Sequence, residues 1–271
     1  MAALFDRLRR PGSPGGEMPF LDHLEELRWR ILWALLAIVV GSIVGLWLVM
    51  HFEVLSLLIV PIQPYLESGK LTYLSPSDPF FLTLQLGLTA GFIMASPVVF
   101  YQIWAFVSPA LLPREKRAIV PALYLGLVLF AGGVVLAYTV ALPITLKFFM
   151  TNFQIEALEA NIIAPHYLGL VVKMLIGFGA IFELPVVVLV LSAMGLITSS
   201  FLREKRRYAI AGMAVLAALI SPGDAITVTL LMMVPLVLLY ELGIGLARMV
   251  ERSRLRDRSD SDEDAVLPEA V

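Results

Sequence analysis

Three stretches of this chain, Ile31 to Met50, Phe80 to Val107 and Ala118 to Leu146, contain not one Asp, Glu, Lys or Arg. A helix needs roughly 20 apolar residues to cross about 30 Å of hydrocarbon, so each run is long enough to span a membrane. A fourth run, about Tyr167 to Met194, is interrupted by Lys173 and Glu183. Tyr208 to Gly223 and Ala225 to Tyr240 are shorter charge-free runs on either side of Asp224. Between them Ser221-Pro222-Gly223-Asp224 is strong turn chemistry, because Pro presets the turn and Gly accepts positive φ. The expected fold is therefore all-α and polytopic. Six spans are expected, at about 31–50, 80–107, 118–146, 167–194, 208–222 and 225–246, the last two forming a short hairpin.

Composition agrees and excludes other classes. Of 271 residues, 59% are hydrophobic and 15% charged, with a mean hydropathy of +0.87. That is too apolar for a soluble enzyme or a disordered chain, and a net charge of -2 does not suit a nucleic-acid partner. With no cysteine there is no disulfide, thiolate metal site or cysteine nucleophile. Phosphate-loop, H-E-x-x-H and G-x-S-x-G patterns are missing, and His23, His51 and His166 are too scattered to suggest a metal cluster. No catalytic residue, metal or cofactor is expected, and the protein is not expected to be an enzyme. Its work must draw on a partner or on the membrane gradient.

Basic residues beside spans are retained on the cytoplasmic side, which orients the bundle. Arg7, Arg9, Arg10, Arg28 and Arg30 precede the first span, and Arg114, Lys116 and Arg117 follow the second. Arg203, Lys205, Arg206 and Arg207 follow the fourth, and Arg248, Arg252, Arg254, Arg256 and Arg258 follow the sixth. Seventeen of the twenty basic residues thus fall on one side, leaving Lys70 and Lys147 opposite and Lys173 within a span. Both termini are expected to be cytoplasmic. Residues 1–18 read as a flexible cytoplasmic start, 19–248 as the membrane domain and 249–271 as a disordered cytoplasmic tail. A cleaved secretory signal is rejected, since the first apolar run is too long and no small-residue cleavage site follows it. No repeat of 20–50 residues is apparent.

Three polar groups stand out against this background. Near the first span, Phe20, Leu24, Leu27 and Ile31 mark one helical face, and Asp22, Glu25 and Glu26 form an acidic cluster on the basic side of the membrane. One reading is dipole complementation with local pairing to Arg28 and Arg30; the other is a docking site for a basic ligand. In the loop after the second span, braced by Pro109 and Pro113, Glu115 is the sole acid. It either pairs weakly with Arg114 or Lys116, or accepts a guanidinium in two parallel bonds, a geometry that selects Arg over Lys. Glu183, in Phe182-Glu183-Leu184-Pro185, lies deep in the bilayer, where a carboxyl is either a functional group or a hydrogen-bonded glue between helices. Pro185 is expected to kink that span. Lys173, about 15 Å up the same helix, is expected to snorkel outward rather than meet Glu183.

Asp224 reads either as a cap of the sixth helix or as a ligand-binding group, and Glu241 as reaching the cytoplasmic interface. Gly41 with Gly45, and Gly87 with Gly91, have the small-xxx-small spacing of closely packed helices.

Taken together, His23-Leu24-Glu25-Glu26-Leu27-Arg28, Pro61, Ser75-Pro76-Ser77-Asp78-Pro79-Phe80 and Tyr101-Gln102-Ile103-Trp104-Ala105-Phe106 with Pro109 and Glu115 resemble the TatC family. Phe182-Glu183-Leu184-Pro185, Ser221-Pro222-Gly223-Asp224 and Tyr240-Glu241-Leu242-Gly243 complete the set, so the resemblance covers about residues 19–248. TatC is the polytopic receptor subunit of the twin-arginine protein translocase. The resemblance implies a concave, glove-like bundle in the cytoplasmic (inner) membrane of a prokaryote. It implies binding of twin-arginine signal peptides on folded cargo, with transport driven by the protonmotive force. By that resemblance Glu26, Arg28, Phe106 and Glu115 form the signal-peptide site, Glu183 is the polar residue of a membrane-embedded face, and Pro61, Asp224 and Glu241 serve structure or partner contact. Implied partners are TatA- and TatB-type single-span subunits near the fifth and sixth helices, further copies of the chain, and the lipid bilayer, thinned locally beside those short helices. Gly223 stands where the family usually has a second proline, Asp78 where Glu is commoner and Val228 where Gln is frequent. The alternative class is a proton- or ion-coupled small-solute transporter using Glu183 and Lys173.

Overall fold

The computed structural model describes residues 20–66, 69–108, 119–152, 161–220 and 226–266. Among them the chain is helical without a strand; one isolated parallel bridge joins Thr72 to Ile163. Five stretches, 22–51, 78–107, 121–151, 164–193 and 232–252, are long and apolar enough to cross a membrane.

Helix α1, Phe20–His51, is 32 residues long, about 48 Å at 1.5 Å per residue. It therefore outruns the hydrocarbon and carries its charged first turns beyond it. A short α2, Val54–Ile59, and a 3-10 turn, Gln63–Tyr65, fold back at its far end. They are pinned there by the hydroxyls of Tyr138 and Tyr167, which donate to the carbonyls of Leu57 and Leu58, each at 2.6 Å. Pro61 sits in this turn, beside the fully buried Ile62.

Helix α3, Asp78–Val107, returns alongside α1. Its start is fixed by Asp78, whose Oδ2 accepts the backbone N–H groups of Leu74 at 3.1 Å and Ser75 at 2.9 Å. The two helices cross on the expected glycines. A Cβ on Gly45 would stand 2.3 Å from the carbonyl oxygen of Gly87, and one on Gly91 2.3 Å from Cα of Ser42. The backbones touch, and only glycine permits that approach. Most of α1's remaining apolar surface, including Trp33, Leu36, Val40 and Ile43, faces outward, as lipid contact requires.

Helix α4, Ile119–Leu136, passes through a π-helical segment, Ala137–Ala141, into α5, Leu142–Asn152. Pro143, which has no N–H to give, stands two residues past the end of that segment, a usual cause of such re-registration. The fourth expected span is two helices rather than one, α6 at Ala164–Phe182 and α7 at Leu184–Ala193. The break falls at Glu183, two residues before Pro185, so the expected kink is present. α7 ends in a Schellman turn, with Gly195 at φ 74° and Leu196 N–H donating to the carbonyl of Leu191 at 2.9 Å.

A short α8, Ser199–Glu204, capped by Thr198, leads into α9, Arg206–Ile220, and then α10, Ile226–Val266. At 15 residues α9 rises only about 22 Å, short as expected. α10 is helical through to Val266. No Gly or Pro occurs between Gly245 and Pro268, so nothing in the backbone ends the helix earlier.

The core lies where α4 and α5 meet α6, α9 and α10, around Leu142, Leu168, Met174, Phe178, Met213 and Leu236. A second cluster joins Trp104 near the end of α3 to Ala122 in α4 and to Val186 and Leu189 in α7. It sets the end of α3, and hence Phe106, on a firm base.

Candidate functional site

The start of α1 and the end of α3 meet at one end of the bundle. His23 stacks on Phe106 with ring centroids 4.4 Å apart and planes 11° from parallel. One turn further along α1, Glu26 lies beside them, with His23 Nδ1 3.6 Å from Glu26 Oε2. The other carboxylate oxygen, Oε1, accepts two hydrogen bonds from Arg30, from Nε at 2.9 Å and from Nη2. Oε2 is buried and has no hydrogen-bond partner among the described residues. Arg28 points away from this pair, exposed and in no ion pair with a described residue. Among the described residues the site therefore combines a carboxylate with one oxygen hydrogen-bonded and one not, a stacked ring pair, and an exposed guanidinium without an ion-pair partner.

Of the four residues expected in the signal-peptide site, the structure brings Glu26 and Phe106 together through His23 and leaves Arg28 on the neighbouring surface. Glu115 lies outside the described residues. Of the local pairing of the acidic cluster with Arg28 and Arg30, one of its two readings, the structure forms Glu26 with Arg30 and not Glu26 with Arg28, as helical geometry dictates: positions i and i+4 share a face, i and i+2 do not. The stack of His23 on Phe106 was not anticipated, and no local pattern signals it, since the two residues belong to different helices.

Glu183 sits at the break between α6 and α7. Its Oε1 is buried without a hydrogen-bond partner among the described residues. The facing surface is Gly126 of α4, where a Cβ would come within 3.0 Å of Glu183 Oε2. Gly126 thus makes the space that the carboxyl occupies. Lys173 is exposed on α6, away from Glu183.

Glu241 accepts a hydrogen bond from Arg206, joining α10 to the start of α9. A tie from α10 to the start of α8 was not expected: Glu251 takes the backbone N–H of Ser199 at 2.6 Å and its hydroxyl at 2.5 Å. Tyr240 reinforces it by donating to the carbonyl of Leu202 at 2.6 Å. Asp224 falls outside the described residues, as does the side chain of Val228. Among the described residues no group of three potential metal-ligating side chains occurs.

With this geometry in hand, the chain can be compared with known proteins. Residues 22–235 match the family model described as Sec-independent protein translocase protein (TatC). The Sec-independent protein translocase protein TatC of Aquifex aeolicus is 37% identical over 239 residues, which are 88% of this chain and 98% of that protein. TatCy of Bacillus subtilis is 31% identical over 250 residues, 92% of this chain and 95% of that protein. A crystal structure of a twin arginine translocase receptor, TatC, superposes with a TM-score of 0.72 at 36% identity, covering 84% of this chain and 99% of that one. A second such crystal structure, in DDM, gives 0.73 at 37%, covering 83% and 99%.

Proposed function

This chain belongs to the TatC family of Sec-independent protein translocase proteins, and from that premise we propose that it is the receptor subunit that binds twin-arginine signal peptides. It is a multi-pass membrane protein of a protein-translocating family. The observation that carries the finer reading is the Glu26 carboxylate beside the stack of His23 on Phe106, at the end of the bundle where the basic residues gather. Such a carboxylate suits a guanidinium, which offers parallel donors in a fixed fork where an ammonium offers a point charge. Glu115, which follows α3 in the sequence, supplies a second carboxylate to the same ligand, and Arg28 and Phe106 line it.

On this reading both termini and the signal-peptide site face the cytoplasm, six helices span the cytoplasmic membrane of a prokaryote, and folded cargo moves at the expense of the protonmotive force. TatA- and TatB-type single-span subunits dock beside α9 and α10, with Asp224 and Glu241 near them and Pro61 shaping the opposite end. Further copies of the chain join the receptor complex. Glu183 presents a polar group to the membrane-embedded face. The separation of Lys173 from Glu183, about 15 Å along the helix axis, leaves no direct relay for a small-solute transporter.

Binding of a signal peptide containing Arg-Arg to the purified full chain, with a Lys-Lys peptide as control, tests this. Selective binding that Glu26→Gln weakens about ten-fold or more is expected, the scale of one charge-assisted hydrogen bond. Equal affinity for both peptides, untouched by Glu26→Gln and Glu115→Gln, would remove the receptor assignment.

A further inference from the structure

Glu26 does not await a guanidinium; it already holds one. Arg30, one turn along α1, gives two donors, Nε and Nη2, to the single oxygen Oε1. Oε2 is no easier target, because it is buried and faces the His23 ring, which is itself held by Phe106. Resting on the receptor reading above, we propose that Arg30 is a built-in competitor. A ligand arginine reaches Glu26 by displacing Arg30, and this exchange holds down the affinity of the site for any cationic ligand.

The exchange is physically reasonable on both sides. The incumbent pair is weak enough to open: the two side chains keep 24% and 20% of their accessible surface, and partly solvated pairs at i, i+4 are modest in strength. It is also tethered, so Arg30 competes at a fixed, high local concentration that no ligand can dilute. An incoming arginine replaces two donors with two donors, and the remaining contacts of the peptide decide the outcome. Because binding requires the Arg30-free carboxylate, apparent affinity for every ligand is lowered by the fraction of time Arg30 is away. Arg28 does not share this role, since it lies off the Glu26 face.

The test measures affinities of the purified full chain for Arg-Arg and Lys-Lys signal peptides in wild type, Arg30→Met and Arg30→Lys. Arg30→Met should bind both peptides about two- to five-fold more tightly and leave their ratio unchanged, because one occupant of Glu26 is removed for both. Arg30→Lys keeps the charge and should tighten binding by less. Weaker binding of the Arg-Arg peptide in either variant would make Arg30 a support for Glu26 and overturn the proposal. So would unchanged affinities in both variants. If Glu26→Gln weakens binding while the Arg30 variants leave the affinities alone, only the competitor fails; if Glu26→Gln changes nothing, the receptor site falls and the competitor with it.

Discussion

Two glutamates divide this molecule. Glu26 lies at a helix start, keeps part of its surface accessible, and is engaged by an arginine one turn away. Glu183 lies at a helix break inside a span, and its neighbour across the interface is the bare backbone of Gly126. The first carboxylate belongs to a polar cluster that its own helix supplies; the second is accommodated by a missing side chain on another helix. A local pair is easily remade with a new partner, whereas a packed gap holds only what fits it. The contrast teaches that one acid is placed for exchange of partners and the other for position.

The scaffold beneath the first region gives the largest expected effect. Gly45→Val would drive a side chain into the Gly87 backbone 2.3 Å away. It should cost about 3 kcal/mol, the upper end of overpacking penalties, and part α1 from α3. Loss of a monodisperse peak in detergent, together with loss of signal-peptide binding, is the expected readout. Retention of both would show that the Glu26 end does not depend on the crossing.

The second region is sharpened by Gly126→Ala, which places a methyl group 3.0 Å from the Glu183 carboxyl. A loss of about 1 to 3 kcal/mol in thermal or denaturant stability is expected. Glu183→Ala in the same chain should recover most of it, because the cavity left by one change accepts the group added by the other. Additive losses in that double-mutant cycle would separate the two residues energetically.

Glu26→Gln should have the smallest effect on stability, about 0.3 to 0.5 kcal/mol, since an i, i+4 pair in contact with water contributes no more. Set against the ten-fold loss of peptide binding expected for the same variant, this would show a residue kept for recognition rather than for folding. A stability loss as large as that of Gly126→Ala would erase the contrast between the two acids.

Much of the architecture was legible along the chain because it depends on short-range physics. Apolar runs longer than the hydrocarbon is thick can lower their free energy only as spans, and they became α1, α3, α4 with α5, and α6 with α7. Pro185 removes a backbone donor, so the break beside Glu183 was readable from one residue. The i, i+4 spacing of Glu26 and Arg30 and the glycine pairs of α1 and α3 are likewise local patterns with definite geometric results. What only the tertiary structure decided is which surfaces meet. Neither the stack of His23 on Phe106, nor Gly126 against Glu183, nor Glu251 on Ser199 has a local signature, because each depends on the crossing and register of separate helices. Periodicity determines which face of a helix is apolar, but the partner of any one side chain on that face is set by backbone approach, and that is a property of the packed bundle.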